Sequence, residues 1–167
     1  MIMKTTAAAP RVSPRRHRSR GFSLIELMVA VAILAIVAAI GYPSFQGLLA
    51  SQRVRAAEAA LYDSLLIARS EALKSHASTN FVTTDLASGW SVQVGGQVVH
   101  AQSALAGVSF SPSAPNVVYD ATGRLGLGTD PLPITVTVTG SGSTAKLCIE
   151  IRDQTGSVKR KKDGACP

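Results

Sequence analysis

Gly21-Phe22-Ser23-Leu24-Ile25-Glu26-Leu27-Met28-Val29-Ala30-Val31-Ala32-Ile33-Leu34-Ala35-Ile36-Val37-Ala38-Ala39-Ile40 is the stretch that decides the fold. From Phe22 to Tyr42 the only charge is Glu26. At 1.5 Å rise per residue this run makes a helix of about 30 Å, enough to cross a hydrocarbon core. Directly before it lie Lys4, Arg11, Arg15, Arg16, Arg18 and Arg20, with no acid among residues 1–21. Basic residues on that flank predict a cytoplasmic N-terminus. With Pro10, Pro14 and few large apolar side chains, residues 1–20 cannot bury a core and are expected to be disordered or removed.

Two ordinary readings compete for this segment. A secretory signal has a shorter apolar run, with small residues at a cleavage site behind it. Here the run is long and leads into Gly41-Tyr42-Pro43-Ser44-Phe45. A plain membrane anchor accounts for length and orientation, but not for a carboxylate one turn inside the apolar run. An unpaired Glu there is costly, and such a residue points to function.

The basic leader, Gly21, Phe22, the Ser23-Leu24-Ile25-Glu26-Leu27 run and the long apolar helix together resemble the class III signal of type IV prepilins and type II secretion pseudopilins. The resemblance implies cleavage between Gly21 and Phe22 by a prepilin peptidase. It also implies methylation of the new Phe22 amine by the same enzyme. Pro43 sits where many pilins carry a helix-bending proline, and the 21-residue leader is longer than in many such precursors. Glu26 then gains a role in assembly. A positive Phe22 amine and a negative Glu26 on a neighbouring subunit neutralise each other, removing much of the desolvation cost of either charge alone. The bland alternative is that Glu26 snorkels to the headgroups.

Charge and composition limit other readings. The chain of 167 residues carries 17 basic and 10 acidic side chains, a net charge of +7. Six of the basic residues belong to the leader, so without it eleven face ten acids and the charge falls to +1. Global charge therefore makes no case for nucleic-acid binding, and only local patches can.

Beyond the anchor, Val54, Ala57, Leu61, Leu65, Ala68 and Ala72 recur at three- and four-residue steps, an apolar helical stripe. A helix continuous from Phe22 to about Ser75 would be about 80 Å long. Gly41, Pro43 and Gly47 are expected to weaken or kink it. Arg55 with Glu58, and Glu71 with Lys74, are candidate surface pairs. Alternation then changes to period two. Trp90, Val92 and Val94 lead to a Gly95-Gly96 turn, with Val98 and Val99 resuming as a hairpin. Val117–Tyr119, Ile134–Val138 and Leu147–Ile151 read as strands, followed by a last short strand near the end. Residues 101–116 and 122–133, rich in Gly and Pro, read as loops, and no internal repeat is evident.

The expected fold is α+β: a long N-terminal α-helix, half transmembrane and half amphipathic, packed on a C-terminal antiparallel β-sheet domain of pilin-like type. The expected parts are a cleaved leader (1–21), a transmembrane and assembly helix (22–45), an amphipathic helix half (46–77) and a periplasmic β-rich domain with a basic tail (78–167). The Arg69–Lys74 segment, Gly89-Trp90 and Val118-Tyr119-Asp120-Ala121-Thr122-Gly123-Arg124 are similar to the H-type minor pseudopilins and FimT-like minor pilins. Gly123 suits a turn with positive φ. Arg124 reads as a surface charge or a partner contact.

Lys159-Arg160-Lys161-Lys162 are four consecutive basic residues. With Arg152 they are candidate contacts to double-stranded DNA, a weak and non-specific partner. FimT-like proteins implicated in DNA uptake carry a Gly-Arg-x-Arg element near this position. Gly156 and Lys159 match its ends, while Ser157 replaces the first arginine. No aromatic residue interleaves the run, so base stacking is not expected. The alternative is a solvated charge run, or one that contacts acidic surfaces of other subunits. Cys148 and Cys166 suit an oxidising compartment and a single disulfide, the alternative being two unpaired thiols. A bridge would contribute about 3 kcal/mol in the loop-entropy model and hold the tail as a loop.

An enzyme is not expected. His17, His76 and His100 join no visible constellation, and no phosphate loop, nucleophile elbow or metal motif occurs. No cofactor is expected. The expected partners are the prepilin peptidase, other pilin or pseudopilin subunits and the inner membrane. The two functions that follow are a minor subunit of a type IV pilus or a type II secretion system, and a DNA-binding minor pilin.

Overall fold

The computed structural model describes residues 21–162. Residues 1–20 of the leader and Cys166 lie outside the described residues. The chain divides into two units, one ending at Ala39 and one beginning at Ile40.

Within the first unit, helix α1 (Leu24–Ser75) begins after a non-helical Gly21-Phe22-Ser23. Every residue from Gly21 to Ala39 is exposed. The helix is apolar all round here, and nothing in its own unit buries it. Among the described residues α1 is the one helix long and apolar enough to cross a membrane. It is helical through Gly41, Pro43 and Gly47.

In the second unit the stripe does what its spacing predicts. Val54, Ala57, Leu61, Leu65, Ala68 and Ala72 are all buried, on the face of α1 that meets the strands. The strands are β1 (Thr79–Asp85), β2 (Gly89–Val94), β3 (Gln97–Ser103), β4 (Val108–Ser111), β5 (Val117–Tyr119), β6 (Ile134–Gly140), β7 (Leu147–Ile151) and β8 (Val158–Lys161). They form two four-stranded sheets, β3-β2-β1-β5 and β4-β6-β7-β8, with every pairing antiparallel. Trp90 joins them. Its ring lies 6.1 Å from Phe81 in the first sheet and 6.1 Å, edge-on, from Phe110 in the second. Phe81, Val92 and Tyr119 from one sheet and Val136, Val138, Ile149 and Ile151 from the other complete the core.

Two strands depart from the sequence reading. β1 places Thr79 and Phe81 inward, and a buried threonine breaks the apolar alternation that would have marked it. β4 lies inside residues 101–116, read as a loop. It is only four residues long, with Val108 and Phe110 inward and serines outward. Residues 101–103 also belong to β3.

Gly140 sets how closely β6 approaches the helix. A Cβ there would stand 2.6 Å from Val54 Cγ2 and 3.4 Å from the Ala50 carbonyl. Gly140→Ala must push the sheet from the helix or turn Val54 off its rotamer, at about 1–3 kcal/mol. Urea unfolding of the detergent-solubilised chain checks this. A lowered midpoint is expected, and an unchanged one contradicts the close approach.

Candidate functional site

The N-terminal motif is built from local hydrogen bonding. The Ser23 backbone N–H donates to Glu26 Oε2 at 2.9 Å, and the Glu26 N–H donates to Ser23 Oγ at 3.2 Å. This is a reciprocal capping box that satisfies two of the donors a helix start leaves open. The Ser-x-x-Glu spacing announces it, and the sequence reading passed over it. Glu26 sits in the first turn, where a negative charge also suits the helix dipole. The Gly21–Phe22 junction lies outside the helix, exposed, with Phe22 at 77% exposure.

Lys159, Arg160 and Lys161 of the basic tail lie on strand β8, Lys162 follows it, and Arg160 and Lys161 are engaged in ion pairs. β8 pairs with β7 so that Lys161 faces Cys148, Arg160 faces Ile149 and Lys159 faces Glu150. Arg160 Nε is 3.2 Å from Glu58 Oε1, and its Nη2 is 3.7 Å from Asp63 Oδ1. The same guanidinium lies 4.0 Å over the Tyr62 ring. Lys161 Nζ is 2.8 Å from Glu150 Oε2, and Arg152 Nε is 2.6 Å from the same oxygen. Lys159 and Lys162 are exposed and enter no ion pair among the described residues. Glu71 and Lys74 pair at 3.7 Å as expected. Arg55 and Glu58 do not: Glu58 is buried and turns to Arg160, a partner about a hundred residues away that helix spacing cannot reveal. Burial pushes the Glu58 carboxyl up, against the pull of Arg160. Hydrogen bonds from Lys161 and then Arg152 hold Glu150 below the usual carboxylate range. Cys148 is buried on β7, and among the described residues no cysteine is free.

A repeat missed in the sequence links this tail to the helix. Asp120-Ala121-Thr122-Gly123 and Asp153-Gln154-Thr155-Gly156 fold alike. Asp120 Oδ1 accepts from Thr122 N at 2.8 Å and Thr122 Oγ1 at 2.6 Å, and Gly123 N donates to the Asp120 carbonyl at 2.9 Å. Asp153 Oδ1 accepts from the amide and hydroxyl of Thr155, and Gly156 N donates to the Asp153 carbonyl at 3.2 Å. Both glycines have positive φ, 72° and 68°. The two turns meet: Leu125 N donates to the Gln154 carbonyl at 3.0 Å, and the Tyr119 hydroxyl to the Gly156 carbonyl at 3.3 Å. Arg69 Nε on α1 donates to the Gly123 carbonyl at 2.9 Å. Burial pushes the Tyr119 hydroxyl up to about 12. The repeated Asp-x-Thr-Gly was the available signal. Arg124 is exposed beside these turns.

His100 has a structural contact. Buried Ser64 Oγ lies 2.8 Å from the Ala60 carbonyl and shares a hydrogen bond with His100 Nε2 at 3.1 Å. Among the described residues no group of three or more His, Cys, Asp or Glu side chains could hold a metal ion.

Residues 16–42 match the prokaryotic N-terminal methylation motif, and residues 57–155, more than half of the chain, match the family described as type II transport protein GspH. The chain belongs to the GspH family. In fold this GspH-family chain is similar to the type IV minor pilin FimU of Pseudomonas aeruginosa strain PAO1. One crystal form matches with a TM-score of 0.57, 18% identity, 70% of this chain and 93% of that one. A second crystal form gives 0.51, 18%, 68% and 96%. Over 35 residues the chain is 60% identical to the type IV major pilin protein PilA of Myxococcus xanthus (strain DK1622). That stretch spans 21% of this chain and 16% of that pilin. The pilin-like α+β fold and the H-type resemblance expected from the sequence both hold.

In the GspH-family domain the lowered Glu150 gives a pH dependence of known sign. Its stabilisation is fully present above the unfolded carboxylate value and is lost as pH falls through the lower folded value. Glu150→Gln is expected to lower stability at neutral pH and to flatten the loss on acidification below the normal Glu range. Thermal melts from neutral pH into that acid range check this. A variant whose acid loss matches the parent contradicts the role of Lys161 and Arg152.

Proposed function

We propose that this chain is a minor pilin or pseudopilin subunit of a type IV pilus or a type II secretion system. One observation carries the reading: a helical stretch from Leu24 to Ala39 that is apolar on every face and left unburied by its own unit, with Glu26 as its single charge near the exposed Gly21–Phe22 junction. The N-terminal methylation motif and GspH-family membership support it.

The chain waits in the bacterial inner membrane, N-terminus cytoplasmic and C-terminal domain periplasmic. Prepilin peptidase cuts before Phe22, shedding the basic leader, and methylates the new amine. In the stored subunit the Ser23 amide and hydroxyl satisfy the Glu26 carboxylate and amide, which lowers the cost of holding that acid near lipid. On assembly the carboxylate meets the Phe22 amine of an adjacent subunit, a contact charged on both sides where the Ser23 amide offers only a neutral donor. The subunit works by packing and pairing rather than by catalysis. A Cys148–Cys166 disulfide belongs to the same reading, formed in the periplasm and fastening the chain end to β7.

The DNA-binding alternative draws less support. Of its five candidate cations, Arg152, Arg160 and Lys161 are held by Glu150, Glu58 and Asp63. Lys159 and Lys162 engage about two phosphates at most, and affinity of that size fades at moderate salt.

Mass spectrometry of the chain from cells with an active prepilin peptidase is the test. The expected N-terminus is a methylated Phe22. Glu26→Gln is expected to be cut normally and lost from filaments by about tenfold or more. An intact leader, a cut elsewhere, or undiminished incorporation of the variant overturns the proposal.

A further inference from the structure

Between α1 and the β7–β8 edge lies a cleft of about 380 Å³ whose lining includes Arg55, Glu58, Arg160, Lys161, Lys162 and Leu147. We propose that it is a binding site for a carboxylate carried on an aliphatic stem, an acidic side chain of a protein partner.

The charges divide into two kinds. Arg160 and Lys161 are fixed: Glu58, Asp63 and the Tyr62 ring hold the first, and Glu150 holds the second. Arg55 and Lys162 are exposed and make no ion pair among the described residues. Lys162 lies close enough to act on the Glu58 carboxylate across the cleft. Fixed cations cost little to organise, and uncommitted ones are available to an incoming anion. Arg55 adds the planar fork that takes a carboxylate through two parallel hydrogen bonds.

The walls select the carrier of the charge. Ala59, Ala145 and Leu147 lie among the cations, so the cleft offers apolar contact as well as charge. A Glu or Asp side chain brings methylene groups to those walls, and a bare phosphate brings none. Shielding by the walls also strengthens the ion pair relative to open water. Duplex DNA suits the cleft poorly. Its charges run along an extended ridge, and a recess with two uncommitted cations meets few of them. That the partner is a sibling subunit rests on the proposed function; the site itself does not.

The test uses the full-length chain in detergent micelles and fluorescence anisotropy at low salt. The probes are a labelled peptide of alternating Glu and Ala, its Lys-Ala counterpart and a short DNA duplex. The acidic peptide is expected to bind and the basic one not. An Arg55→Glu/Lys162→Glu double variant is expected to bind it about tenfold or more weakly. Because Lys162 also acts on Glu58, a native far-UV circular dichroism spectrum of the double variant at the assay temperature separates lost charge from lost fold. Lys159→Glu, outside the cleft, is expected to bind as the parent does. No peptide binding, or equal binding by the double variant, overturns the proposal. So does a duplex that binds more tightly than the peptide and is weakened alike by both variants, which gives the tail to nucleic acid. The assay needs no filament, so its result is independent of how the N-terminus is processed.

Discussion

A helix with apolar side chains on every face must bury them against lipid or against other protein surfaces. The stretch from Phe22 to Ala39 meets that condition, and its own unit offers neither. Leaving so many Leu, Ile and Val side chains in water is unfavourable by about 1.5–3 kcal/mol for each large one. Their surroundings are therefore part of the structure. The one charge in the stretch is placed where a helix start already supplies donors, so Glu26 is accommodated without a partner chain and remains able to accept one.

The second unit solves a different problem with the same helix. Its later half buries one stripe and exposes the rest, and alanines at 57, 68 and 72 let the strands come close. Two sheets share that stripe through Trp90. Polar fastenings then set the edges: Arg160 ties β8 to Glu58 and Asp63, Arg69 ties the first Asp-x-Thr-Gly turn to α1, and Tyr119 ties the second. Half of a basic run that looks solvated in one dimension, Arg160 and Lys161, is a clasp. Of the two lysines the run leaves without an ion pair among the described residues, Lys162 lines the cleft and Lys159 lies outside it.

The sequence made the long-range architecture legible because burial writes a period. The stripe from Val54 to Ala72 and the strands at Val117 and Ile134 carry it. No residue of β3 is buried and β7 is buried from Cys148 to Ile151, so the hairpin was marked by Gly95-Gly96 and β7 by its apolar alternation, and all are present. β1 was hidden because a buried threonine sits where an apolar residue would signal, and β4 because four residues are too few to establish alternation. The Glu58–Arg160 pair was unreadable for another reason. Helix spacing offers Arg55, and only the tertiary fold brings Arg160 closer. The Ser23–Glu26 capping box and the paired Asp-x-Thr-Gly turns were different again: both are local patterns, visible in the sequence and unread.

Zero-length carbodiimide coupling in filaments grown from a mixture of isotopically heavy and light subunits tests the central claim most directly. The account predicts a peptide joining Glu26 of one subunit to the Phe22 amine of another, with heavy–light pairs present. Coupling confined to single chains, or no coupling of Glu26 at all in intact filaments, contradicts it.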